Sequence, residues 1–156
     1  MANFIIKPLH KEEFEKLFLF SDDELKKMGA VRMTANTKPG FPCRVSLEDA
    51  PVGEEVLLLT YPYHKTESPY RAIGPIFVRR HAATAQLAVN QIPVMLHHRL
   101  LSVRHYNSNG MMVGTAVLEG SNLSAYLSEA LDNPDVAYIQ VHNAKAGCYN
   151  CMVERA

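Results

Sequence analysis

Residues 40–80 read GFPCRVSLEDAPVGEEVLLLTYPYHKTESPYRAIGPIFVRR. Val56 to Tyr61 is the strongest apolar run of β-type residues in the chain, and Ile73 to Val78 is a second. Short runs of this kind, bounded by turn residues, predict strands. The loop between them carries Tyr63, His64, Lys65, Ser68, Pro69, Tyr70 and Arg71, a denser set of chemistry-bearing side chains than a plain connection needs. Upstream, Asp49 to Gly53 (DAPVG) reads as a turn and Cys43 to Leu47 as a further candidate strand.

Working outward toward the N-terminus, Phe4 to Leu9 predicts a short strand that Pro8 confines to an edge or an end. His10 to Phe20 places Phe14, Leu17 and Phe18 at helical spacing and predicts an amphipathic helix. Ser21 followed by Glu24 is a capping box, so a second short helix should run to Met28 and stop at Gly29. Ala30 to Ala35 is a candidate strand, and Asn36 to Pro42 a turn-rich loop. Toward the C-terminus, Ala82 to Gln91 has weak helical character. Leu100 to Asn107 and Met111 to Leu118 predict a hairpin about the Asn107-Ser108-Asn109-Gly110 turn. A helix from Asn122 to Leu131 and a strand from Val136 to Val141 follow, and the last residues hold the Cys148-x-x-Cys151 pair with no room for another useful helix. Strands arranged in hairpins predict α+β: one domain over 1–156, mainly antiparallel sheet, with a helical N-terminal part (1–35) and one helix before the last strands.

The 156 residues suffice for one domain with a real core, and a composition of 47% hydrophobic and 21% charged residues is that of an ordinary globular chain. The opening MANFIIKPLHKEEF has too short an apolar run for a signal peptide. No run approaches the roughly 18 apolar residues that span a bilayer. A formal net charge of zero argues against nucleic acid and membrane surfaces as partners. Three cysteines, Cys43, Cys148 and Cys151, do not make a disulfide framework, and the expectation is a protein of a reducing cytoplasm.

Two constellations carry possible chemistry. The CxxC pair has the spacing of half a zinc site, whose other ligands would come from Cys43 and His142, with His81 next. Redox chemistry asks for a helix opened by the pair, which five remaining residues cannot supply. Plain packing of buried thiols is the competing reading. The second constellation is a hidden charge asymmetry. Between Tyr61 and Asn107 stand Lys65, Arg71, Arg79, Arg80, Arg99 and Arg104 against one acid, Glu67, with His64, His81, His97, His98 and His105 among them. Arginine forks fit carboxylates and phosphates. On a strand, Arg79 and His81 share a face, so they could line an anion site with Arg71 and Arg104. Against that, the same cations could pair with Glu48, Asp49, Glu54 and Glu55 or be solvated. No phosphate-binding glycine loop, HExxH or GxSxG pattern is present.

The strings PCRVSLEDAPVGEEVLLL, SPYRAIGPIFVR, HRLLSVRHYNSNGMMV and VAYIQVHNAKAGCYNC, in that order, resemble an uncharacterised bacterial family, domain-of-unknown-function family 1203, from about Gly40 to the end. The resemblance implies a stand-alone bacterial protein and carries over no functional residues. From the residues themselves the leading expectation is binding of a small anionic molecule through Arg71, Arg79, His81, Arg104, His64 and Tyr70. The alternatives are a zinc protein, structural or hydrolytic, using Cys148, Cys151, Cys43 and His142, and a homodimer formed through exposed strand edges.

Overall fold

Eight strands fall into two antiparallel sheets in the computed structural model, which describes residues 1–156. The hairpin of the opening stretch forms as its sequence dictates. Strand β3, Glu55–His64, pairs with β4, Ala72–Arg79, and on its other side with β2, Ala30–Thr34. As the middle strand it is buried on both faces, which explains its unbroken apolar run. Leu57 and Leu59 pack with Ile76 and Val78 against Phe14, Phe18 and Leu25, while Val56 faces Phe41 and Ala50. Pro75 sits on β4, the sheet's edge, where its missing N–H costs no ladder bond.

The second sheet has the order β1-β8-β7-β5-β6. Its members are β1 (Phe4–Lys7), β5 (Leu100–Tyr106), β6 (Met112–Glu119), β7 (Tyr138–Asn143) and β8 (Tyr149–Arg155). The β5–β6 hairpin turns at Asn107–Gly110, where Gly110 takes φ 74°. One face of the sheet is apolar: Phe4, Ile6, Leu101, Val103, Ile139, Val141, Cys151 and Val153 pack against α3 (Leu123–Ala130) and the short α2 (Val94–His97). The expected helix after Gly120 is present as α3. The other face is polar and aromatic, and it meets the end of β3.

Four segments differ from the sequence expectation. The predicted helix over His10–Phe20 is two 3₁₀ turns, Lys11–Glu13 and Glu15–Leu19, broken at Phe14 (φ −121°). The break still buries Phe14 and Phe18, so the apolar spacing is satisfied without α-helical bonds. The N-terminal part is accordingly two strands, two 3₁₀ turns and one six-residue helix, α1 (Asp22–Lys27), which has the Ser21–Glu24 capping box. Cys43–Leu47 is a turn rather than a strand: Leu47 takes φ 54°, and its N–H returns to the Cys43 carbonyl. Ala82–Gln91 forms no helix, because its backbone bonds run outward, Ala85 N–H to Val45 and Asn90 N–H to Phe4. The C-terminal residues, read from sequence only as a cysteine-bearing tail, are the strand β8.

Strand β8 lies between β1 and β7, joining the first residues of the chain to the last. Truncation after Gly147 would unpair β1, turn β7 into an edge and remove Val153 and Cys151 from the core. The shortened chain is expected to show no cooperative thermal unfolding, measured by circular dichroism beside the full chain.

Candidate functional site

The polar face of the five-stranded sheet is built by alternation. On β7, Ile139 and Val141 point to the core, so Tyr138, Gln140 and His142 point outward. On β5, Leu101 and Val103 point inward, so Arg104 and Tyr106 share the outward face, with Arg104 directly opposite Gln140. Three β-bulges converge here. One, between Tyr61 and His64, brings buried His64 from β3 onto this face. A second lies at His105/Tyr106. The third, at His142/Tyr149, adds Asn150 to β8, so that Tyr149 faces outward while Cys151, two residues later, faces the core. Bulges re-aim side chains and are enriched beside functional sites.

The re-aimed groups form one connected cluster. His64 Nδ1 lies 2.8 Å from the Tyr70 carbonyl and Nε2 lies 2.6 Å from the Tyr138 hydroxyl. A carbonyl only accepts, so Nδ1 carries the proton, and Nε2 of the neutral ring accepts from the Tyr138 O–H. Tyr106 and Tyr138 stack at 5.3 Å with 19° between planes, and the Tyr106 ring is 4.2 Å from His64. Tyr63 and Tyr149 stack at 5.3 Å and 16°, with His142 edge-on to both. Gln140 spans the Tyr63 carbonyl and His142 Nε2, each at 3.1 Å, and His142 Nδ1 meets the Gly147 carbonyl at 2.9 Å. Asn150 Oδ1 is buried without a partner. The cluster opens into a cleft of about 420 Å³ whose lining includes Tyr63, His64, Lys65, Tyr138, Gln140 and Tyr149.

Burial raises the pKa of Tyr138 and, against the pull of Arg104, that of Tyr106. These hydroxyls remain neutral donors and acceptors. Burial likewise pushes His142 down to about 4, with Arg104 and Arg44 acting in the same direction and the Gly147 carbonyl opposing.

The charged residues sort into two groups. Arg79 is committed: Nε reaches Glu54 at 2.7 Å, and Nη1 reaches Glu48 at 3.0 Å and Ser46 at 3.1 Å. Arg80 bonds Glu55 at 2.6 Å, and Arg99 forks onto Asp49 at 2.5 and 3.0 Å. The acids that the sequence offered as competing partners are thus the partners observed. Arg79 and His81 line a shallow cleft of about 350 Å³ with Lys11 and Arg80, but not with Arg71 or Arg104. Val56 pairs with Arg79 and His64 with Ala72, so Arg71 and Arg79 stand a strand length apart, roughly 26 Å. The expected convergence of Arg71, Arg79, His81 and Arg104 is therefore corrected. The antiparallel pairing of β3 and β4 puts Arg71, Tyr70 and His64 at one end and Arg79 and His81 at the other. Arg104 belongs with His64 and forms no ion pair with any carboxylate of the chain.

The cysteines surround a cation. Arg44 is 1% exposed, its Nε donates to the Tyr149 carbonyl at 2.7 Å and its Nη1 to the Pro42 carbonyl, and all three cysteines lie close enough to act on its charge. Cys43 Sγ accepts from the N–H groups of Ser46 and Arg79 at 3.4 and 3.3 Å. Cys151 faces the core, where burial pushes its thiol up to about 12, whereas His142 faces the opposite side of the sheet. Cys148, Cys151, Cys43 and His142 do not converge on one point, and no three His, Cys, Asp or Glu side chains gather closely enough to hold a metal ion. Arg44, Tyr106, Tyr138, Gln140 and Tyr149 were not singled out from sequence. The period-two pattern of YIQVH, polar at alternate positions between apolar ones, is the signal that marks three outward residues of β7.

The depressed pKa of His142 fixes a pH dependence. The folded value is below the ordinary value of about 6.5, so the unfolded chain binds the extra proton first. The stabilisation is complete above about 6.5 and is lost as pH falls toward 4, amounting to about 3 kcal/mol. Urea unfolding of the wild type between pH 7 and 4 is expected to show that loss, and His142→Gln to flatten it.

No curated protein and no solved structure matches this chain. The family described as "Protein of unknown function (DUF1203)" matches residues 40–155, a span that contains β3 to β8 and every residue of the outer-face cluster, and the chain belongs to that family.

Proposed function

We propose that this chain binds a small anionic molecule on the outer face of the five-stranded sheet, with Arg104 as the anchoring cation. The observation that carries the reading is the contrast among arginines. Arg79, Arg80 and Arg99 are neutralised by carboxylates, whereas half-buried Arg104 has none and stands among neutral groups, Tyr106, Gln140 and His142. A guanidinium partly removed from water and left without a counter-charge favours a carboxylate or phosphate brought by a ligand. His64, Lys65 and Arg71 line clefts at the end of β3, Tyr70 meets His64 through its carbonyl and Tyr106 through its ring, and the Tyr63–Tyr149 stack supplies an apolar wall. Arg79 and His81, included in the expectation from sequence, form no part of this site. The three free cysteines fit a reducing bacterial cytoplasm as the place of action.

A thermal-shift panel of inorganic phosphate and small di- and tricarboxylates tests the reading. A ligand at about a hundred times its dissociation constant raises the melting temperature by about 5 °C or more. The shift is expected to vanish in Arg104→Gln and to persist in Arg79→Gln. No shift with any anion, or an equal shift in Arg104→Gln, contradicts the assignment.

A further inference from the structure

Tyr138 and His64 are arranged for proton transfer as well as for binding. His64 Nδ1–H donates a hydrogen bond to the Tyr70 carbonyl, which leaves Nε2 as a lone-pair acceptor aimed at the Tyr138 hydroxyl 2.6 Å away. The Tyr138 proton is therefore already directed at His64, and the remaining lone-pair density of its oxygen is free to meet a ligand. Both residues line the 420 Å³ cleft, His64 from the floor at 4% exposure and Tyr138 from its wall. Tyr106, stacked on Tyr138 and with its ring 4.2 Å from that of His64, packs against both rings. A hydroxyl, a base and a group that orients the base, in hydrogen-bond series, is the arrangement that activates an oxygen nucleophile or relays a proton. A second tyrosine–histidine pair, Tyr126 and His105 at 2.9 Å, has no partner on the other ring nitrogen and so lacks the orienting member.

We infer that Tyr138 and His64 form a base relay, and that the anionic ligand presents a weakly acidic O–H or N–H to Tyr138 Oη. This inference rests on the proposed anion site for the identity of its ligand, not for the relay itself. In the step, Tyr138 Oη takes the ligand's proton while its own proton passes to His64 Nε2. The products are a deprotonated ligand and an imidazolium whose Nδ1–H remains on the Tyr70 carbonyl. The reverse transfers restore the pair, and no oxidant or external group is consumed.

Benzenesulfonyl fluoride tests the relay without knowledge of the ligand. Attack by Tyr138 Oη forms an O–S bond and breaks the S–F bond; fluoride leaves, and the tyrosine proton goes to His64 Nε2. Peptide mass spectrometry of the intact protein after timed exposure is expected to show Tyr138 sulfonylated about a hundredfold faster than Tyr126 or the exposed Tyr70. His64→Asn keeps a donor for the Tyr70 carbonyl but has no base, and should remove that advantage; free imidazole should restore it in His64→Ala. Labelling of Tyr138 no faster than of Tyr126 and Tyr70 in the wild type overturns the relay, even if the His64 variants fail to fold. Labelling that is unchanged in folded His64→Asn overturns it as well. Phosphate that slows labelling in the wild type but not in Arg104→Gln supports relay and anion site together. Fast, His64-dependent labelling with no anion effect leaves the relay standing and removes the anion site.

Discussion

Arg44 ties the two sheets together, its backbone bonded to β4 and its guanidinium to β8. The residue stands in a turn whose backbone N–H donates to Phe77 on β4 and whose carbonyl accepts from Leu9, just after β1. Its side chain reaches the Tyr149 carbonyl at the start of β8 and the Pro42 carbonyl behind it. Burial lowers its pKa to about 10, which leaves it a cation at neutral pH, and no carboxylate compensates it. Main-chain carbonyl dipoles do so instead. An isolated buried charge is costly, so the turn and the start of β8 are held where those dipoles can face it. The geometry of the cleft follows, because Tyr149, whose carbonyl is pinned, is also the ring on which Tyr63 stacks.

Bulges complete what that anchor begins. A regular β8 would place residues 149 and 151 on one face of the sheet. The extra residue Asn150 separates them, sending Cys151 to the core of one sheet and Tyr149 toward the core of the other. The same device at Tyr61–His64 brings a histidine from the three-stranded sheet onto the five-stranded one. The cleft is thus a product of two strand ends that leave their regular register where the sheets meet.

Local pattern made much of the fold legible. The apolar run of β3, the Asn-Gly turn between β5 and β6, the Ser21–Glu24 capping box and α3 all follow from residues a few positions apart. Strand β8 was not legible, because its NCMVER alternation is short and follows a cysteine motif with a stronger apparent meaning. The helix over residues 10–20 yielded to tertiary packing of Phe14 and Phe18, which 3₁₀ turns satisfy equally well. At the site, the concentration of arginine and histidine drew attention to His64, which lines the cleft, to Tyr70, whose carbonyl meets the His64 ring, and to Arg104 on the outer face of β5. It also drew in Arg79 and His81, since the direction of an antiparallel partner separates residues that sequence keeps close. Arg44 gave no sign of its role, because a buried arginine and a surface arginine look alike in a sequence.

The claim on which the account turns is that Arg44 fixes the sheet junction and, through it, the tyrosine cluster. The chain has seven tyrosines and no tryptophan, so its near-ultraviolet circular dichroism reports tyrosine packing directly. Lysine keeps the charge but lacks the fork that spans two carbonyls. The decisive measurement is the near-ultraviolet spectrum and melting curve of Arg44→Lys beside the wild type. The account predicts a largely lost tyrosine signal and a lower melting temperature, with far-ultraviolet strand content retained at low temperature. An unchanged tyrosine spectrum with an unchanged melting temperature would contradict it.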